Sequence, residues 1–211
     1  RPMPATQDFH VNDEHADPLF CVTAEATESL LKMMGEHLLP EVRRLVGPRR
    51  RVTIVLDREG WSQKAFKRWD EEGFDVLTYR KGKQTRWQER FFTRRTCRVD
   101  GRKVTYCLAE RRVKLPNGLA VREVRRLTDD GHQTAVITTS RRLSTFQVAH
   151  RMFSRWRQEN YFRYMRQEFA IDHLCTNAVE PADPKRLVTN PERSKISKQL
   201  RSARSARSNL V

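Results

Sequence analysis

The stretch that decides the fold is Arg51–Asp57, which reads RVTIVLD. It is almost continuously apolar and β-branched, which is typical of a central strand that is covered on both faces of an α/β sheet. Residues 63–72 follow with helical spacing, and Phe74–Tyr79 (FDVLTY) has the pattern of a second strand. Because strand–helix–strand connections are right-handed and join parallel strands, this unit predicts a parallel pair in an α/β sheet.

The chain before this unit is predicted to hold an irregular first segment and one helix. Its first residues are polar, and one short strand is expected, at either Phe9–Asn12 or Leu19–Thr23. Residues 24–46 carry apolar side chains at helical spacing, so one long helix is predicted there, with Thr23 as its N-cap. Pro40 is expected to break or kink this helix, which then continues irregularly to Leu45, because proline lacks the backbone N–H that a helix interior needs.

The chain after the unit changes character. Residues 80–131 are rich in Arg, Lys and Thr, and turn signals at Asp100-Gly101 and Pro116–Gly118 separate short β-like runs, so an antiparallel, β-rich insertion is predicted. Gln133–Thr139 reads as a returning strand. Residues 144–174 form a long amphipathic pattern that predicts a helix, with Ser144 in the N-cap position.

The last segment is basic. Residues 185–211 hold eight Lys or Arg against one acidic residue, which predicts a disordered or weakly helical tail. The predicted organisation is therefore an N-terminal part of the core (1–79), a β-rich insertion (80–131), the last strand and helix of the core (132–180) and a basic, flexible tail (181–211).

Composition limits the function classes. The net charge is +16 with a pI near 10.4, which favours a polyanionic partner such as nucleic acid over a protein that is merely basic. No apolar run reaches the ~18 residues that a membrane helix needs, so no membrane partner is expected. The four cysteines (Cys21, Cys97, Cys107 and Cys175) form no CxxC pair, so we expect reduced thiols rather than a zinc site or disulfide framework.

Two carboxylates are candidates for chemistry. Asp57 ends the apolar strand, where α/β sheets hold their sites, although an aspartate there also caps the following turn. Glu159 lies on the apolar stripe of the long helix, with Arg155 and Arg166 on the same side, so a buried salt bridge is the alternative. Together the two carboxylates suggest a site for Mg²⁺, whose preferred ligands are hard oxygens and which serves phosphodiester chemistry in pairs.

The turn after Asp57 holds two further candidates for contact with nucleic acid. Trp61 could stack on an unpaired base, and packing beneath the turn is the equal alternative. Arg58 is placed with it as a DNA-contacting residue.

Two blocks of the sequence resemble a known enzyme family. RVTIVLDREGWSQKAF followed by GFDVLTYRKGK is similar to the second catalytic block of DDE transposases from bacterial insertion sequences. RMFSRWRQENYFRYMRQEFAIDHL is similar to their third block, in which Tyr, Arg, Glu and Lys are spaced by three, four and seven residues. Arg155, Glu159 and Arg166 match the last three positions, with Arg in place of Lys, and Met152 stands at the Tyr position. The resemblance covers roughly residues 10–183.

The resemblance implies an RNase H-like fold, a mixed sheet flanked by helices and interrupted by a β-rich insertion. It also implies an enzyme that cleaves and transfers DNA strands at the ends of its insertion sequence, with Mg²⁺ or Mn²⁺. Asp57 would be the second aspartate and Glu159 the glutamate, while Arg155 and Arg166 would contact phosphates. The implied partners are terminal inverted repeats, target DNA and a second copy of the chain, in the bacterial cytoplasm at the nucleoid.

The family's first aspartate is expected upstream of Arg1, because the segments around Phe9–Thr23 correspond to the second and third strands. Asp8 and Asp13 are the local substitutes. Without that aspartate this polypeptide is expected to be inactive, as a piece of a longer transposase. The alternative is a non-catalytic, basic nucleic-acid-binding module or a decayed transposase remnant.

Overall fold

The fold is built on one mixed sheet of six strands and a separate two-stranded hairpin. The computed structural model describes residues 6–154, 163–168 and 191–208. The strands are β1 (Thr6–Asn12), β2 (Pro18–Glu25), β3 (Val52–Leu56), β4 (Phe74–Tyr79), β5 (Thr93–Val99), β6 (Arg102–Lys114), β7 (Ala120–Leu127) and β8 (Gln133–Thr138). The helices are α1 (Leu30–Met33), α2 (Leu39–Val46), α3 (Gln63–Glu71), α4 (Thr145–Phe153) and α5 (Pro191–Ser208). The chain divides into two units, residues 1–170 and 171–211, and α5 belongs to the second.

The large sheet has the strand order β3-β4-β8-β7-β6-β5. β3 and β4 are parallel, with Ile54 opposite Val76, and all other neighbours are antiparallel. The predicted parallel pair and the predicted fold class are thus confirmed: the protein is a mixed α/β fold, compatible with an RNase H-like sheet flanked by helices.

The expectation that RVTIVLD forms a central strand is wrong. β3 lies at the edge of the sheet described here, and Val55 is 36% exposed. Its neighbour β4 is buried from Phe74 to Thr78. An apolar, β-branched run reports a preference for extended backbone, whereas the position of a strand in its sheet depends on long-range pairing.

Both faces of the sheet are covered. Neighbouring residues of a strand point to opposite faces, and they belong to two different core clusters. Val76 and Ile137 belong to a cluster with residues of α1, α2, α3 and the β1–β2 hairpin. Their neighbours Leu77 and Val136 belong to a second cluster with Val148, Ala149 and Met152 of α4. Helices therefore pack against both faces of the sheet.

The N-terminal prediction needs correction. Both of the alternative short strands form, and they pair with each other in antiparallel register. β2 extends to Glu25, so a helix starting at residue 24 with Thr23 as N-cap is wrong. Val22 and Ala24 pack against the core while Thr23 is exposed, which is the alternation of a strand. The helix begins instead at Leu30, where the Ser29 hydroxyl accepts the Lys32 N–H (3.3 Å).

The helical segment widens locally next to Pro40 and does not end there. A π-helical turn, Met34–Leu38, precedes it, and α2 then continues to Val46. Since proline has no N–H to donate to the preceding turn, a π turn is an ordinary way to absorb the missing bond. Gly47, with a φ of 83°, ends the helix.

The segment 80–131 is antiparallel as predicted, and its strands continue the same sheet as β4. At the β5–β6 turn Asp100 and Gly101 both have positive φ (49° and 75°), as a two-residue hairpin requires.

Ser144 caps α4, as predicted, and it does so with a reciprocal bond to Gln147. Residues 163–168 are helical, and the helical part of the basic tail is α5.

Candidate functional site

Asp57 lies directly after β3, where the chain leaves the sheet. Its carboxylate accepts the Arg58 backbone N–H (2.6 Å) and caps a 3₁₀ turn over Arg58–Gly60. The Thr78 hydroxyl of β4 donates to the Asp57 carbonyl oxygen (3.3 Å), which fixes the backbone here. The residue is exposed. The capping role that the sequence left open is therefore present, and it holds the carboxylate at the carboxyl edge of the sheet.

An aromatic contact joins this edge to α4. The Arg58 guanidinium carbon lies 5.3 Å from the centre of the Tyr79 ring, at the end of β4. The Tyr79 ring lies 6.4 Å from the ring of Phe153, the last residue of α4. The carboxyl ends of β3 and β4 and the last turn of α4 thus meet at one edge. Arg58 is exposed, so its positive charge at this edge is accessible to a phosphate.

Trp61 follows the same turn. Its ring packs edge-on against Phe66 at 5.4 Å and contacts the first core cluster, and the residue is half-buried. Of the two alternatives, this is the packed arrangement, and stacking on a base stays a prediction.

The prediction of one helix over residues 144–174 is wrong, because α4 ends at Phe153 with Ser154 as its C-cap. The candidate residues of that segment are only partly covered by the described residues. Arg155 and Glu159 lie outside the described residues. Arg166 lies in the helical segment 163–168 and is exposed. The pairing of Glu159 with Asp57 therefore stays a prediction.

Asp8 and Asp13, the substitutes for a first aspartate, lie on the β1–β2 hairpin and its turn, in a different sheet from β3. The Asp8 carboxylate accepts the Thr23 hydroxyl (2.6 Å). That of Asp13 accepts the backbone N–H groups of His15 and Asp17 (2.8 and 3.0 Å). Both carboxylates thus bond within the hairpin itself.

Sequence reasoning missed a charged cluster inside the sheet. Glu123 of β7 is fully buried and forms ion pairs with Arg125 (2.6 Å) and Arg80. Trp87 covers the cluster, with the Arg125 guanidinium 4.1 Å and that of Arg111 4.5 Å from the centre of its ring. Burial, and then the charge of Arg111, lowers the pKa of Arg125. The available signal was the two-residue period of β7, which places Glu123 and Arg125 on the face of buried Val121.

A strongly basic surface lies on the β5–β6 hairpin. Residues 93–114 hold eight Lys or Arg against two acidic residues, Asp100 and Glu110. Every residue of β5 from Thr93 to Arg98 is exposed. The hairpin therefore presents positive charge at the edge of the sheet opposite β3, which suits a polyanion.

The described helices include none that is both long and apolar enough to cross a bilayer. The model of a protein family described as "Transposase protein" matches residues 3–209, almost the whole chain. No curated protein matches the sequence.

Proposed function

The chain belongs to the transposase family whose model spans it, and from this premise we propose DDE-type cleavage and transfer of DNA strands at the ends of a bacterial insertion sequence. The observation that carries the proposal is the place of Asp57. It is an exposed carboxylate at the carboxyl end of a parallel strand, beside the exposed Arg58, and α/β sheets hold their sites at this edge.

The donor chemistry at Asp57 fits Mg²⁺ or Mn²⁺. These ions prefer carboxylate oxygens, and they keep several ligands for water and phosphate. Among the described residues Asp57 belongs to no group of three potential protein ligands. In this proposal Glu159 supplies a second carboxylate. When bound, such ions activate the attacking oxygen and neutralise charge on the leaving one.

The end of α4 supports the choice of Glu159. Phe153 contacts Tyr79 at the edge where Asp57 lies, and Glu159 follows six positions later in the sequence (159 − 153). Arg58, Arg155 and Arg166 would hold phosphates of the cleaved end in place. Trp61 would contact a base there.

The proposed partners are the terminal inverted repeats and target DNA, with two copies of the chain acting on paired ends. The proposed location is the bacterial cytoplasm, at the nucleoid. The basic β5–β6 hairpin would add affinity that does not depend on base sequence, because Lys and Arg neutralise phosphates along the backbone.

The test compares Asp57→Asn with Asp129→Asn, which alters an exposed aspartate in the β7–β8 loop. The protein made from its whole reading frame is incubated with Mg²⁺ and a plasmid carrying the DNA that flanks its gene. We expect Asp57→Asn to lose cleavage by about 100-fold or more, since several kcal/mol of metal-supplied stabilisation disappear. Asp129→Asn should cleave normally, and both should bind the DNA. Normal cleavage by Asp57→Asn would refute the assignment.

The second candidate is a non-catalytic nucleic-acid-binding module, a transposase remnant that only binds. The exposed positive charge of the β5–β6 hairpin favours it, because that surface does not need Asp57. Metal dependence separates the two functions. The enzyme shows Mg²⁺-dependent nicking that is lost in Asp57→Asn, whereas the binding module retains DNA with or without Mg²⁺ and never nicks it.

A further inference from the structure

The solvent face of the β1–β2 hairpin gathers three side chains with metal-binding atoms. Asp8 and His10 are two positions apart on β1, so they share one face. Cys21 of β2 stands directly opposite His10 in the register. The intervening residue Phe9 is buried in the core, and the other apolar residues of its face, such as Val11 and Val22, are partly buried against it. The hairpin therefore points these three side chains away from the core and toward one another.

The three ligand atoms are close enough to share an ion. Cys21 Sγ lies 3.8 Å from His10 Nε2, and the thiol, imidazole and carboxylate atoms of the group all lie within 4.8 Å of one another. Ligand atoms of a tetrahedral zinc ion, with bonds of about 2.0–2.3 Å, are separated by about 3.3–3.8 Å. Small side-chain rotations suffice to close that difference.

We propose that Asp8, His10 and Cys21 bind one Zn²⁺ ion, with water as the fourth ligand. One sulfur, one nitrogen and one oxygen donor make a set that suits zinc and not magnesium, which takes oxygen ligands. Binding replaces the thiol proton of Cys21, which passes to solvent. The Thr23 hydroxyl, which donates to Asp8 Oδ1 (2.6 Å), orients the carboxylate from behind.

The ion would cross-link the two strands of the hairpin. A two-stranded sheet is only marginally stable by itself, and this one otherwise depends on packing of its apolar face. Zinc motifs along the sequence do not reveal the site, because Cys21 has no cysteine partner nearby and His10 is eleven positions away. Antiparallel pairing brings them together. The site lies on a different sheet from Asp57 and does not depend on the proposed cleavage activity.

The experiment uses the full chain and two metals. Co²⁺, added in place of Zn²⁺, should give a thiolate-to-cobalt charge-transfer absorption with one ion per chain. Cys21→Ser and His10→Gln should abolish this absorption. The matched control is Cys97→Ser, which removes another exposed cysteine, on β5, and should leave it unchanged. Thr23→Val should weaken Co²⁺ binding about tenfold, as loss of a supporting hydrogen bond to a ligand does.

A second readout needs no variant. Zn²⁺ should slow alkylation of Cys21 by iodoacetamide, and Cys97 in the same molecules should react at an unchanged rate, as mapped by mass spectrometry. Asp57→Asn should retain the cobalt absorption even where it abolishes cleavage, so failure of one proposal is distinguishable from failure of the other. No charge-transfer absorption, absorption that survives Cys21→Ser, or equal alkylation with and without Zn²⁺ would each overturn the site.

Discussion

Replacing Arg122 with methionine should loosen the start of α4 from the sheet. The Arg122 guanidinium on β7 donates to both carboxylate oxygens of Glu110 on β6, at 2.7 and 2.9 Å. It also donates to the carbonyl oxygens of Ser140 and Leu143, at 2.9 and 2.6 Å. The Glu110 carboxylate in turn accepts the hydroxyl of Thr145, the first residue of α4, at 2.6 Å. One guanidinium therefore ties two strands to the loop that leads into the helix.

The expected loss follows from these contacts. The two bonds from Arg122 to backbone carbonyls are partly buried, and each contributes about 1 kcal/mol. The ion pair with Glu110 is partly exposed, with 15% and 26% of the two side chains accessible, so we assign it only about 1 kcal/mol. Methionine keeps most of the packing of the arginine stem. The free energy of unfolding should therefore fall by about 3 kcal/mol.

Urea denaturation of the full chain measures this change. With a slope of about 2–3 kcal/mol per molar urea, the midpoint should fall by about 1–1.5 M. The control is Arg112→Met, which removes the exposed arginine opposite Arg122 on β6. No ion pair of Arg112 occurs within the described residues, so its loss should cost at most about 0.5 kcal/mol. Equal midpoints for the two variants would refute the reasoning.

Three further predictions concern acid stability, the core and DNA binding. The hydrogen bond from Arg122 lowers the pKa of Glu110 in the folded protein below its ordinary value of 4.5. The ionised carboxylate therefore contributes its full stability above pH 4.5, and this contribution is lost as the pH falls through the pKa of the folded state. Glu110→Gln should remove this part of the acid dependence of urea midpoints, whereas exposed Glu71→Gln should leave it intact. Trp69 is fully buried, so Trp69→Ala should lower the unfolding free energy by about 3–5 kcal/mol in the same assay. The double variant Arg94→Gln/Arg98→Gln should reduce the slope of log affinity against log salt by about two for arbitrary duplex DNA, and an unchanged slope would remove β5 from the interface.

The elements that could be predicted from the sequence have local signals. The helix between the two parallel strands, α3, is capped by Ser62, whose hydroxyl accepts the Ala65 N–H, and it ends before Gly73. The Asp100-Gly101 pair is one of the few dipeptides that fit a two-residue hairpin. Each signal depends on neighbours within a few positions, so no knowledge of distant contacts is needed.

The elements that were mispredicted depend on distant contacts. Ala24 and Glu25 belong to β2 and not to the expected helix, because β2 pairs with β1 and packs Val22 on the core. The edge position of β3 is decided by β8, which pairs with β4 on the other side. The sequence separation of β4 and β8 hides that pairing from any local pattern.

The total positive charge of the chain does not identify which arginines contact DNA. A count of Lys and Arg favours nucleic acid, but part of that charge is used inside the fold. Arg125 is 4% exposed and is paired with Glu123, and Arg122 is bound to Glu110 and the loop before α4. Substituting these residues would weaken DNA binding by destabilising the protein. Arginines such as Arg94, on the exposed strand β5, are the ones whose removal reports on DNA contact alone.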